Sequence, residues 1–223
     1  MPDSPWMLPR LRQQCTLTGR YTLAAATMPG KVSATRRRII DAAYELFYRG
    51  GFARTGVDDI AAAAGVTKRT LYYHFSSKDA LVAAVLEIQD ELVLAQIQSW
   101  AQYVKGDSSE AVEKLFSEFA AWARKPRWRG SGFTRAAMEF AHLPGHPARM
   151  AARRHKARIE RWLADRLAIG DRSPQLARQI VLLLEGCHSL ILIHGDPSYA
   201  DAAAEAARLL VEHAGATDKK RRR

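Results

Sequence analysis

From Ser33 to His213 the apolar residues recur three and four positions apart, and the stretches that carry this period end on glycine or proline. None of them alternates apolar and polar as a half-buried strand does. The period therefore predicts an all-α chain of about nine helices. The first runs from Ser33 to Arg49 and stops at Gly50-Gly51. Thr55, with Asp58 three residues on, reads as a capping box opening the second, and Gly65 ends it. Thr67 caps a short third helix reaching His74, and Ser76 with Asp79 reads as the box that opens a fourth, reaching Val104. Further helices are expected at about 108–124, 130–142, 147–168, 174–194 and 198–213. No repeat period links them, which excludes a solenoid.

Charge divides the chain unevenly. It carries 34 basic and 23 acidic residues, a formal net charge of +11. Residues 35–82 hold eight basic against five acidic, and residues 215–223 hold five against one, whereas residues 83–214 are nearly neutral. A basic first third suits a polyanionic partner, nucleic acid or an anionic surface. Residues 1–32 lack sustained periodicity and read as a flexible arm; residues 215–223 read as a solvated basic tail. The two cysteines, Cys15 and Cys187, form no disulfide framework and suit a reducing compartment. The longest apolar run, Ile180 to Ile193, is interrupted by Glu185, Gly186 and His188 and reads as a buried helix rather than a membrane span. A cytoplasmic protein without a membrane partner is the expectation.

The segment Val57–Phe75, VDDIAAAAGVTKRTLYYHF, carries the most specific chemistry. Two short helices crossing at a tight turn need small residues at the crossing, and Ala61, Ala64 and Gly65 supply them. Ile60, Val66 and Leu71 fill the angle between them. Outward face Thr67, Lys68, Arg69, Thr70, Tyr73 and His74, a dense set of hydrogen-bonding groups for two helical turns. Lys68 and Arg69, at the start of the second helix, are candidates for guanine edges in a major groove. Thr67 and Thr70 suit phosphate, while Tyr73, His74 and Lys78 suit the flanking backbone. Thr35 and Arg36 at the start of the first helix offer a further phosphate clamp. For Tyr72 two readings stay open, a side chain turned to DNA or a ring packed beneath the helix with only its hydroxyl reaching the DNA; Phe75 is expected in the core.

The stretch from Thr35 to Leu86 resembles the DNA-binding domain of the tetracycline-repressor (TetR) family of bacterial transcription regulators. The matching residues are TRRRIIDAAYELFYRGGF and TGVDDIAAAAGVTKRTLYYHFSSKDALVAAVLE. A generic helix-turn-helix would not also bring the AA-x-x-LF and YYHF-x-x-KDAL patterns. The resemblance implies a DNA-binding domain at 33–82 and a ligand-binding and dimerisation domain at 83–214. It also implies a homodimer on a palindromic operator, released when a small-molecule inducer binds. The family's DNA-contacting positions fall on Thr67, Lys68, Arg69, Thr70, Tyr72, Tyr73, His74 and Lys78. Repressor is the leading role; an activator or a ligand-independent DNA binder of the same fold is the alternative.

Beyond Leu86 the resemblance thins to an architecture. Leu176, Ile180, Leu183, Leu184, Cys187, Leu190 and Ile191 give the eighth helix a broad apolar face, and the ninth is rich in alanine. A symmetric interface through residues 174–213 is expected, against the plainer reading that these helices complete a monomer core. Trp100, Phe119, Phe133 and Trp162 are candidates for an apolar ligand pocket, with Gln96, Glu139, His142, His155, Glu185 and His188 as its polar groups. Glu139 with His142, and Glu185 with His188, stand three apart on helices; such pairs hold metals in helical bundles but more often line a pocket or a crossing. No metal or cofactor is expected. Neither a phosphate-cradling glycine loop, a nucleophile elbow nor His-Glu-x-x-His occurs, so no enzyme is expected either.

Overall fold

The computed structural model describes residues 33–101, 108–126 and 128–221. The expected arm, and Arg222 and Arg223 of the expected tail, lie outside the described residues. Within them are nine α-helices and no strand: α1 Ala34–Gly50, α2 Val57–Ala64, α3 Lys68–His74, α4 Lys78–Ala101, α5 Ser108–Ala123, α6 Gly132–Glu139, α7 Pro147–Leu167, α8 Ser173–His194 and α9 Ser198–Arg221. The all-α reading holds, and the local signals place most helix ends.

Two caps differ from the expected ones. Gly56, not Thr55, is the N-cap of α2, with no side-chain cap. Thr55 is buried, so its hydroxyl is satisfied inside the preceding turn, donating to Gly51 O at 2.6 Å. At α4 the cap is Ser77, whose Oγ accepts Ala80 N–H at 3.0 Å, one residue later than the Ser76 box. Asp79 instead reaches Nε2 of His146 at 3.2 Å.

Two helix ends differ as well. α6 closes at Glu139, ahead of the Leu143-Pro144-Gly145 turn, so His142 is off the helix and Glu139 and His142 do not share a helical face. α9 runs through Gly215 to Arg221, well into the expected tail. The stretch holds no proline, and alanine, lysine and arginine are strong helix formers that outweigh one glycine.

The described residues divide into two compact units, one comprising 33–92 and 131–155 and the other 93–130 and 156–221. In the first, Ile39, Ala43, Phe47, Ile60, Leu71, Phe75, Leu81 and Phe133 are buried. In the second, α5 and α8 both pack on α9. Ala200, Ala203 and Ala207 are buried there with Phe116, Phe119, Leu163, Ile180 and Leu184, and the small side chains permit that close approach.

Gly170–His194 has the length to cross a membrane and holds an 18-residue window of mean hydropathy 1.6, longer than the run read from the sequence. One of its faces, Leu176, Ile180, Leu184, Cys187 and Ile191, is buried in the second unit. The opposite side exposes Leu182, Leu192 and Ile193, and α9 exposes Leu209.

Candidate nucleic-acid interface

Gly65 sets the angle between α2 and α3. It is left-handed at φ 63°, a conformation that costs glycine little, and Val66 N–H returns to Ala61 O at 3.0 Å to close the end of α2. Thr67 then caps α3 by accepting Thr70 N–H at 3.1 Å, while the two hydroxyls lie 2.9 Å apart. Leu71 alone anchors α3, fully buried in the core of the head that α1, α2 and α3 form. Lys68, Arg69, Tyr72 and Tyr73 are consequently exposed, Tyr73 at 85%. The edge of the Tyr73 ring meets His74, with centroids 5.2 Å apart.

Three of the expected DNA-facing cations already have partners. Lys68 Nζ sits 3.0 and 3.1 Å from the two carboxylate oxygens of Asp58. That hydrogen bond, and then the charge of Asp58, raises the ammonium above the ordinary lysine range. The Arg36 guanidinium lies over the Phe75 ring, 4.8 Å from its centroid. Lys78 Nζ donates to Ala53 O at 2.7 Å in the turn between α1 and α2, and burial holds its pKa below the usual range. Arg69 is left as the exposed cation of α3 with no partner among the described residues. Thr35 is half-buried in the first turn of α1.

Sequence reading missed Asp58 as the partner of Lys68. Ten residues separate them across a turn, and no local period marks such a pair.

The ten expected pocket residues fall in both units. Phe133, Glu139, His142 and His155 lie in the first. There the Phe133 ring stacks flat on His155 at 3.7 Å, and His155 Nδ1 meets Asp90 Oδ1 at 2.6 Å. His142 is exposed. Gln96, Trp100, Phe119, Trp162, Glu185 and His188 lie in the second unit. His188 touches Phe119 edge-on at 4.7 Å and stacks on Trp128 at 6.2 Å, and its Nδ1–H donates to Leu184 O. Trp100 reaches this cluster through Trp122, at 6.1 Å. Glu185 pairs with Lys156 and lies 3.8 Å from His188. Gln96 is half-buried, its carbonyl accepting Ser99 Oγ–H, and Trp162 lines a small apolar pocket with Ser108, Leu115 and Leu163.

The family model described as bacterial regulatory proteins, tetR family, matches residues 39–85, the stretch that builds α1–α3 and the start of α4. Residues 39–85 therefore carry a TetR-family DNA-binding head. Among curated proteins, the HTH-type transcriptional regulator TtgR of Pseudomonas putida is 38% identical over 97 residues, 42% of this chain and 46% of that protein. RutR of Escherichia coli, also named an HTH-type transcriptional regulator, is 39% identical over 71 residues, 32% of this chain and 34% of that one. The chain thus spans about half the length, or less, of the curated relatives it matches. Among solved structures, a TetR-family transcriptional regulator from Streptomyces coelicolor is 27% identical with a TM-score of 0.72, covering 81% of this chain and 96% of that one. NemR of E. coli in its reduced form is 18% identical with a TM-score of 0.70, covering 78% and 95%, a likeness of fold alone. TetR-family character is thus carried in sequence by the head and in fold by most of the described chain.

Proposed function

We propose that this chain is a homodimeric TetR-family repressor that binds a palindromic operator in double-stranded DNA and leaves it when a small-molecule inducer binds. The observation that carries the reading is α3, a helix with one buried anchor, Leu71, and an outward face of Lys68, Arg69, Tyr72 and Tyr73. Such a helix enters a major groove with its N-terminal residues against base edges, so Arg69 and Lys68 read bases while Thr67, Thr70, Tyr73 and His74 position the head on the backbone. Thr35 and Arg36, at the N-terminus of α1, and Lys78, through its hold on the α1–α2 turn, support that backbone contact.

The dimer reading rests on the apolar residues that α8 and α9 leave in water: Leu182, Leu192, Ile193 and Leu209, all about half exposed or more. Surfaces of this kind mark protein contacts in soluble chains, and a second copy covers them with the same surface by two-fold symmetry. The aromatic cluster around His188 supports an inducer with an apolar body. A cytoplasmic protein that is not an enzyme completes the reading.

The test is enrichment of duplexes from a random-sequence pool by the full chain, followed by footprinting. A two-fold symmetric footprint that disappears for Arg69→Ala supports the proposal. Enrichment of no sequence, or an unaltered footprint with Arg69→Ala, would remove it.

A further inference from the structure

We infer that Asp58 is a specificity-determining positioning residue that holds Lys68 away from DNA phosphates; the inference rests on the DNA-binding reading of α3. Lys68 is the first residue of α3, where the partial positive charge of the helix end repels a cation. Asp58, in the first turn of α2, brings both carboxylate oxygens to Lys68 Nζ at 3.0 and 3.1 Å. Both side chains are largely in water, at 54% and 76% exposure, so the pair fills no gap in the core. It stands instead at the mouth of the recognition helix and fixes the direction of a flexible ammonium.

An ammonium has three donors, and one of them is spent on Asp58 Oδ2 while Oδ1 stands beside it. A phosphate approaching Lys68 must compete with a carboxylate of like charge already in place, so sequence-independent contact is weakened. A base-edge acceptor such as guanine O6 or N7 is neutral, meets no such repulsion and can take a donor that Asp58 leaves open. Asp58 thus lowers non-specific affinity more than operator affinity. Asp59 supplies the internal comparison: it is exposed in the same turn of α2 and pairs with no cation among the described residues.

The experiment compares the full chain with Asp58→Asn, Asp59→Asn, Lys68→Met and the Asp58→Asn/Lys68→Met double variant. The probes are a duplex enriched by the unaltered chain and a scrambled duplex of equal length, titrated over a range of salt. Release of Lys68 onto one phosphate should steepen the salt dependence on the scrambled duplex by about 0.9 in log–log slope. Its affinity at low salt should rise by up to about fivefold, the ceiling for an exposed ion pair, while the enriched duplex gains less. Asp59→Asn removes the same charge without freeing Lys68 and should leave the slope in place, as should Asp58→Asn in the Lys68→Met background. Equal effects of Asp58→Asn and Asp59→Asn, or an effect that survives Lys68→Met, would overturn the role of Asp58. Failure of the unaltered chain to enrich any duplex would overturn the DNA-binding reading as well.

Discussion

Glu139, the last residue of α6, accepts the backbone N–H of Ala53 at 2.7 Å, across 86 positions of sequence. Ala53 O accepts from Lys78 at 2.7 Å, so one residue in the turn between α1 and α2 is held at both its polar groups. Arg135, one turn earlier in α6, donates to Tyr48 O at 3.0 Å near the end of α1. Glu139 therefore stays with the head turn, although its residue type suited a ligand pocket. The carboxylate fits because Gly51 has no side chain: a Cβ there would stand 3.1 and 3.2 Å from the Glu139 oxygens, and its φ of 91° with ψ 157° suits glycine alone. Gly51→Ala should destabilise the first unit by about 1–3 kcal/mol in urea denaturation. A variant as stable as the parent chain would show that Glu139 and the turn relax at no cost.

On α3 the division of labour predicts two kinds of loss. Arg69→Ala should cost about 1–3 kcal/mol of operator affinity and relax the preference at one base pair, whereas Tyr73→Ala should weaken all duplexes alike. Titration of the enriched duplex and its single-base variants at fixed salt separates the two. Equal loss across all variants for Arg69→Ala would move it from reader to anchor.

If α8 and α9 cover their exposed leucines with a second copy, Leu182→Glu combined with Leu209→Glu should give a monomer by sedimentation with its helical circular dichroism intact. Its affinity for a two-fold site should fall by about a hundredfold or more, because the second head loses its effective concentration. A dimer that survives both glutamates would place the interface elsewhere.

His155 is buried beneath Phe133, 2% exposed, and its partner Asp90 is partly exposed. Asp90→Ala removes a partner from a buried polar ring and should cost about 1–3 kcal/mol. Thermal denaturation measures it, and a neutral result would show that other partners satisfy His155.

Burial pushes the Cys187 thiol from 9.0 up to about 11. The neutral thiol is the form the fold favours, so this group's contribution to stability is complete below pH 9 and is lost as pH rises from there through about 11. In a Cys15→Ser chain, Cys187 should react with a thiol reagent at neutral pH only after denaturation. Rapid labelling of the native chain would contradict its burial.

What the sequence determined alone was local. Ser33, Thr67 and Gly65 act within four residues of themselves, and the apolar period of three and four reports one helix face at a time; together they set the nine helices of the described residues and the helix-turn-helix. The same locality explains the misplaced caps, since Thr55 and Asp79 had plausible partners three residues away and better ones elsewhere in the fold. Only the tertiary structure decided where Asp58, Glu139, Lys78 and His155 spend their hydrogen bonds. A polar side chain pairs with whatever group folding brings within about 3 Å, and for these residues that group lies ten to eighty-six positions away, beyond any period in the chain.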